Sequence, residues 1–596
     1  MQNTKKKFLK LSIFFIKILF LFFVNIHVNA DSNTIQNGAT TTAQQTLDGD
    51  GEFLTVKNNS TLATGATTKA ANIDEADNVT ITVESGSTIS ANTVAVYGDR
   101  SSGMTVTNSG TIKASGTTAI DSKGTTNATI TNNSGGTISS NRNTIRVSKT
   151  TGVGAANTTG MTITNSGTIT ATNGSAIFGN AAANTVTITN NASGEMTNSD
   201  SDNATIRVGA SSSVTNSGTI KNDVGSDSIK LYGNNATITL KDQGIVVGKI
   251  AHGAGITGST LKINHGVGQG YYYDIDGDFS LEDLDGNTIV KGSAGSVGQG
   301  GSEILDELLS YKSFNIRKSL TRYKSTKDKT VDNNGWGEAN FSTLKRKQNN
   351  QNLSLGFNYT GLGINLINPY DKDKNFILSF ETSKQNFTKN HTVNRYSINS
   401  GFYFPDQPLF NKFGNESYLL VGITLNDSDR EVLTNTKASG KLDITDTYET
   451  LEFIGGTKIN NNYFVPNLGL TFGLSQTPAH SESEFYTWDA KNVGNLSLYF
   501  DDDYKINFGT DYSFNLGWML DLRKTLTTKD QSFQVNGTEA TYKQDNDLVE
   551  EITLAGNFGF EKKMSDEHYL KFNIDSRIST QDLTSFSGNF AYKFIF

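Results

Sequence analysis

A seven-residue phrase constrains this chain more than any other feature. Val106-Thr-Asn-Ser-Gly-Thr-Ile112 returns as Ile163 to Ile169 and as Val214 to Ile220, with looser copies at Ile130 to Ile138 and Ile188 to Met196. The matched apolar positions are Ile112, Ile138, Ile169, Met196 and Ile220, and a second set follows in each copy, from Val94 and Val96 to Ile229 and Leu231. A unit this short cannot bury its apolar side alone, whereas stacked units can share one continuous core. The units are β-branched, Gly-punctuated and nearly free of good helix formers. That predicts coils of a right-handed parallel β-helix rather than helical repeats. Asn108, Asn132, Asn165, Asn190 and Asn216 sit at equivalent positions and predict an Asn ladder through the stack. Gly110, Gly136, Gly167, Gly194 and Gly218 are expected to form the turn that follows.

Composition changes after the repeats. From Asp31 to Gly270 the only aromatics are Phe53, Tyr97, Phe178 and Tyr232, and from Tyr271 onward they are frequent. The shift marks a domain boundary. Residues 241–300 are expected to close the repeat stack, with Tyr271, Tyr272, Tyr273 and Phe279 capping its open end. Glu303 to about Lys324 reads as a helix. Ile304, Leu305, Leu308 and Leu309 share a face, with acids early and Arg317, Lys318 and Arg322 late. At 1.5 Å per residue it spans roughly 33 Å, close to a membrane's thickness, so a path through a barrel lumen is predicted.

From about 333 to 596 amphipathic strands follow one another. Leu419, Val421, Ile423 and Leu425 alternate, as do Leu468, Leu470 and Phe472, and Tyr512, Phe514, Leu516 and Trp518. About twelve strands are expected, with short turns at 460–462, 501–503 and 563–567. Long polar loops are expected at 426–446, 475–492 and 524–548. The final strand places Gly588, Phe590, Tyr592, Phe594 and Phe596 on one face. Such a strand suits the outer wall of a closed membrane barrel, where both edges are paired.

The first thirty residues read as a secretory signal. Lys5, Lys6, Lys7 and Lys10 precede an apolar core from Leu11 to Val24, and Val28-Asn29-Ala30 predicts cleavage between Ala30 and Asp31. The domains expected are therefore signal 1–30, repeat passenger 31–240, cap 241–300, linker helix 301–332 and barrel 333–596. The fold class expected is all-β, apart from the linker helix.

This order resembles the monomeric autotransporters of Gram-negative bacteria, the type V secretion family. The Asn-Ser-Gly-Thr-Ile repeats, Gly335-Trp336-Gly337 opening the barrel and the terminal aromatic strand carry the resemblance. It implies a barrel in the outer membrane that assists export of its own passenger to the cell surface. It also implies that Gly588 to Phe596 serve as an assembly signal read by the outer-membrane insertion machinery, with periplasmic chaperones and outer-membrane lipid as partners. Some family members cut themselves in the linker beside an Asn; here the helix offers Asn315, without an Asn-Asn pair.

The passenger is expected to be non-enzymatic, an adhesin or structural surface protein. The alternative is a secreted β-helix enzyme acting on polysaccharide. A Ser-His-Asp site would have to use His252 or His265, both at the junction, and no Gly-x-Ser-x-Gly elbow occurs in the repeats. Asp74, Glu75 and Asp77, and Asp200 and Asp202, read as turn carboxylates. Asp274, Asp276 and Asp278 suggest a calcium loop only superficially, because Phe279 and Asp285 stand where Gly and Glu are needed. No catalytic, cofactor or metal residue is assigned, and the absence of Cys excludes disulfides and Cys-based metal sites. The formal charge of −8 argues against a nucleic-acid partner. A ligand surface is expected where the residue after each second-ladder Ile points outward. Those residues are Asp121, Arg146, Phe178, Arg207 and Lys230, and a stripe of Arg146, Phe178, Arg207 and Lys230 suits an anionic glycan or a partner surface.

Overall fold

Threonine-rich segments with one inward Ile or Val every second residue form the strands of the first half. The computed structural model describes residues 32–595 except 66–67, 151–155, 180–183, 288, 291–293, 297–303, 325–333, 348–354, 372–373, 388–389, 410–412, 461–465, 484, 529–530, 536–537 and 543–549. The signal segment, its cleavage residues Ala30 and Asp31, and Phe596 lie outside the described residues. The chain divides into two compact units, residues 1–238 with 250–259 and 277–279, and residues 239–249 with 260–276 and 280–596.

The first unit is a parallel β-solenoid with three strands per coil. Thr105–Asn108, Thr111–Ala114 and Thr118–Lys123 make one coil. Thr129–Asn132, Thr137–Ser140 and Ile145–Ser148 make the next. Corresponding strands pair in parallel and in register, so Ile89, Ile112, Ile138, Ile169, Met196 and Ile220 stack as one column. Ile120, Ile145, Ile177, Ile206 and Ile229 form a second column. All of these side chains are buried. Each contributes about 1.5–3 kcal/mol by leaving water, which is how such short strands hold together.

The second unit contains a closed barrel of twelve antiparallel strands. They are β1 (Asn334–Arg346), β2 (Leu355–Asp371), β3 (Lys374–Phe387), β4 (His391–Leu409), β5 (Phe413–Thr434) and β6 (Lys441–Asn460). The other six are β7 (Asn467–Thr477), β8 (Lys491–Phe508), β9 (Tyr512–Thr528), β10 (Glu550–Lys563), β11 (His568–Ser579) and β12 (Leu583–Ile595). Pairing of β1 with β12, from Asn334↔Ile595 to Arg346↔Leu583, closes the ring. The wall is inverted relative to a soluble protein. On β7, Leu468, Leu470, Phe472 and Leu474 face outward and exposed, while Thr471 and Ser475 are buried inside. An apolar outer band with a polar interior is the surface a lipid bilayer requires.

Three connections differ from expectation. The turn expected at 501–503 lies inside β8, and the chain reverses at residues 509–511 instead. The long loops expected at 426–446 and 475–492 are largely strand. β5 and β6 stay paired up to Leu433↔Lys441. The short strands His480–Glu482 and Tyr486–Trp488 join Gln531–Val535 and Thr538–Tyr542 in a separate four-stranded sheet.

Candidate functional site

One helix, α1 (Leu305–Lys324), occupies the barrel lumen. Its Leu305 and Leu309 pack against inward residues from around the ring, including Trp336, Ile377, Leu420, Ile454 and Ala591. On another side Ile304, Leu308 and Tyr311 meet Phe357, Tyr359, Phe387 and Leu583. The helix is buried on its charged side too. Glu307 lies 2.8 Å from Arg346 and 3.4 Å from Arg523, and both arginines pair with Glu551. One turn on, Lys312 is ion-paired with Glu452, which also meets Arg395 at 3.5 Å. Arg317 reaches Asp521 at 2.8 Å and lies over the Tyr499 ring. These pairs fix rotation and depth together. Removing one partner strands a buried charge, at a cost of about 3–5 kcal/mol. Beside the helix a cavity of about 80 Å³ remains, lined by Asn315, Glu338, Tyr359 and Glu381 among others.

The direction of threading follows from these contacts. Glu307, in the first turn, meets Arg346 at the end of β1 and lies near Glu551 at the start of β10. Arg317, three turns later, meets Asp521 in the middle of β9. The helix therefore enters at the rim where odd-numbered strands end and runs toward the rim where β1 begins.

The entry rim carries a platform. Gly270–Tyr272 adds as a parallel strand to Val432–Thr434 at the end of β5. Asn435, in the β5–β6 turn, donates through Nδ2 to the carbonyls of Gly248 (3.0 Å) and Asp274 (2.8 Å), and its Oδ1 accepts from the Asp274 N–H. Gln269 donates to the Glu431 carbonyl at 2.9 Å. Val290, Val432, Ile444, Phe485, Tyr486 and Trp488 form an apolar core beneath Tyr272. Tyr271 and Tyr273 are buried, Tyr271 bonding to Asp283 at 2.9 Å and Tyr273 meeting His265 at 2.7 Å. Burial raises the ionisation of both tyrosines and of Asp283 above their ordinary values. No local sequence pattern marks Asn435 or the Arg346, Arg523 and Glu551 set. Only their inward register in strands not yet paired would have singled them out.

In the solenoid the Asn residues of the repeat are fully buried, and each passes a hydrogen bond to the next. Asn108 donates to Asn132, Asn132 to Asn165, Asn165 to Asn190 and Asn190 to Asn216, at 2.8–2.9 Å. The Nδ2 groups of Asn108, Asn132, Asn165 and Asn190 also donate to a carbonyl of the following glycine, as Asn165 does at Gly167 (3.0 Å). The glycines are required by space rather than by backbone angle. A Cβ on Gly167 would stand 2.2 Å from the Gly136 carbonyl oxygen.

The stripe residues stand in one column on the outside of the third sheet. Asp121, Arg146, Phe178, Arg207 and Lys230 are successive register partners, and Tyr97 precedes them. The column is less basic than its composition suggests. Asp121 is fully buried beneath Arg146, which chelates it through Nε (2.9 Å) and Nη2. Lys230 is held by Asp227 at 2.7 Å. Arg207 differs: its guanidinium lies over the rings of Phe178 (4.8 Å) and Tyr232 (4.5 Å), and Nη1 donates to Asn203 Oδ1 at 2.7 Å.

The remaining singled-out residues occupy separate places. Asp77 accepts from the Ser102 backbone N–H, and Asp200 accepts from Asp202 N–H and from Asn203, as turn carboxylates do. His252 packs on Phe279. Asp274 faces Lys249 at 3.6 Å. On β12, Phe590 and Tyr592 point outward and exposed, and Phe594 lies across Gly335.

No protein-family model and no curated protein matches the sequence. Among solved structures the chain is similar to the translocator domain of the autotransporter NalP from Neisseria meningitidis. That match has 8% identity, covers 49% of this chain and 98% of that chain, and has a TM-score of 0.37. It is also similar to the beta domain of the Bordetella autotransporter BrkA, with 10% identity, 45% and 100% coverage and a TM-score of 0.31. An outer-membrane channel from Pseudomonas putida F1 is similar too, with 10% identity, 46% and 99% coverage and a TM-score of 0.28. At such identities and scores these are likenesses alone.

Proposed function

We propose that this chain is an autotransporter: its barrel resides in the outer membrane and displays a non-enzymatic β-solenoid passenger at the cell surface. One observation carries the reading. The polypeptide passes through its own barrel, with residues 270–272 built onto one rim and α1 running inside toward the start of β1. A chain that exports its preceding residues through this pore would be left in such a path. The apolar outer band supports insertion in lipid, and the exposed faces of Phe590 and Tyr592 suit recognition by the insertion machinery, with periplasmic chaperones acting earlier. Asp77 and Asp200 serve as turn carboxylates and His252 packs on Phe279, which supports an adhesive or structural role over catalysis.

The test is surface accessibility with paired truncation. The full chain expressed in a Gram-negative host should expose the solenoid to an antibody on intact cells. A chain lacking β12 should leave it undetected outside. Equal surface labelling of the two would overturn the proposal.

A further inference from the structure

Three of the four aromatics between Asp31 and Gly270 stand on the outer face of one solenoid sheet: Tyr97, Phe178 and Tyr232. On the same face every stripe cation but one is paired with a carboxylate. Arg146 is neutralised by Asp121, and Lys230 by Asp227. Arg207 has no carboxylate within 4.0 Å among the described residues. Its guanidinium is walled by two rings, and Asn203 holds one nitrogen. Asn203 is itself turned by donating to Asp200 at 2.8 Å, so its oxygen is the atom presented to Arg207.

This arrangement has consequences. Ring walls remove side-chain freedom before any ligand arrives, so less entropy is lost on binding. They also shed water from a cation that is already weakly hydrated. Nε of Arg207 is buried without a partner, so the outer edge of the guanidinium, Nη2 with the second N–H of Nη1, remains as the planar fork, which matches a carboxylate or a sulfate. Arg146 lies two strands away in the same column, a spacing of roughly 10 Å, comparable to one disaccharide of an extended glycan. Arg146 stays about two-fifths exposed despite its ion pair.

We propose that Arg207, between Phe178 and Tyr232, is an anion-recognition site for an acidic polysaccharide lying along the solenoid axis. The proposal rests on the display reading above and adds the ligand class. Uronate and sulfate would both satisfy the fork.

The experiment uses the full chain purified in detergent and three immobilised polymers: polygalacturonate, dextran sulfate and uncharged dextran. The expected result is salt-sensitive binding to one or both acidic polymers and none to dextran. Arg207→Gln should weaken that binding about tenfold, with the melting curve unchanged. Arg207→Lys keeps the charge without the fork and should fall between; it also decides the case if Arg207→Gln fails to fold. Phe178→Ala should weaken binding as well. Equal binding to dextran, undiminished binding by both Arg207 variants, or binding to phosphatidylglycerol vesicles and neither acidic polymer would each overturn the site. None of these results touches the display reading, which fails instead if the wild-type solenoid is absent from the cell surface.

Discussion

Asn165 shows how much one side chain contributes when it is repeated. It accepts from Asn132, donates to Asn190 and faces the Gly167 carbonyl, all with no exposure. Removing it orphans groups above and below in a dry interior, and each buried unsatisfied group costs about 1–3 kcal/mol. Asn165→Ala is therefore expected to lower the solenoid's stability by about 2–4 kcal/mol. Asn141 pairs with Asn173 at 2.8 Å on the exposed outside, and Asn141→Ala should change stability by less than about 0.5 kcal/mol. Thermal melting of the two variants checks the contrast; comparable losses would show that the ladder has no special weight. The ladder was legible in the sequence because its period is a one-dimensional property. The reason for its glycines was not. Gly167 is excluded from bearing a Cβ by the coil before it, and that proximity exists only after stacking. Gly588 makes the same point in the barrel. It shares a face with Phe590 in the sequence, but its small size is explained by the Phe341 ring, which lies across it from β1.

Elements were read well where one face is wet and the other dry, and poorly where that contrast lapses. Near the entry rim β5 carries Asn426, Ser428 and Arg430 inward and Asp427 and Asp429 in alternation with them. Both faces are polar, so period-two alternation vanishes and the hairpin reads as a loop. Its pairing partner, the strand Gly270–Tyr273, stands out in sequence as an aromatic run, but nothing local indicates that it pairs with β5. The structure makes this junction testable. Asn435→Ala deletes three hydrogen bonds that tie residues 248 and 274 to the β5–β6 turn. Limited proteolysis should then cut within residues 239–296 faster than in wild type, while the barrel keeps its heat-modifiable mobility. Unchanged cleavage would remove Asn435 from the account. Acidity should also matter here. Burial holds Asp283 above the ordinary carboxylate value, against hydrogen bonds from Tyr271 and Asn287 that pull it down. The folded segment thus keeps a proton where the unfolded chain has lost it. The resulting stabilisation is complete at low pH and disappears as pH rises through the raised folded value. Hydrogen exchange at Tyr271 to Tyr273, corrected for intrinsic rate, should accordingly be better protected at mildly acidic than at neutral pH. Asp283→Asn should abolish the difference.

At the scale of the whole molecule, the barrel is a pore filled by its own chain. The twelve-strand count and the helix in the lumen were legible, because amphipathic strands and a helix of membrane length are local patterns. The locks on the helix were not, since Glu307, Arg346, Arg523 and Glu551 come from distant parts of the sequence and meet only across the lumen. Those locks are what should keep the pore shut. The walls that α1 covers bear Glu452, Arg395, Asp521 and Arg577, so a lumen emptied of the helix would admit water and ions readily. Replacing Arg346 with Met leaves Glu307 and Glu551 sharing Arg523 alone. In planar bilayers the wild-type chain is expected to conduct little, the Arg346→Met variant to show flickering openings, and a chain lacking residues 304–324 to conduct steadily. The graded order is the sensitive part. A deletion that conducts no more than wild type would mean that the barrel seals without its helix. Steady conduction by the full wild-type chain would mean that α1 does not occlude the pore at all.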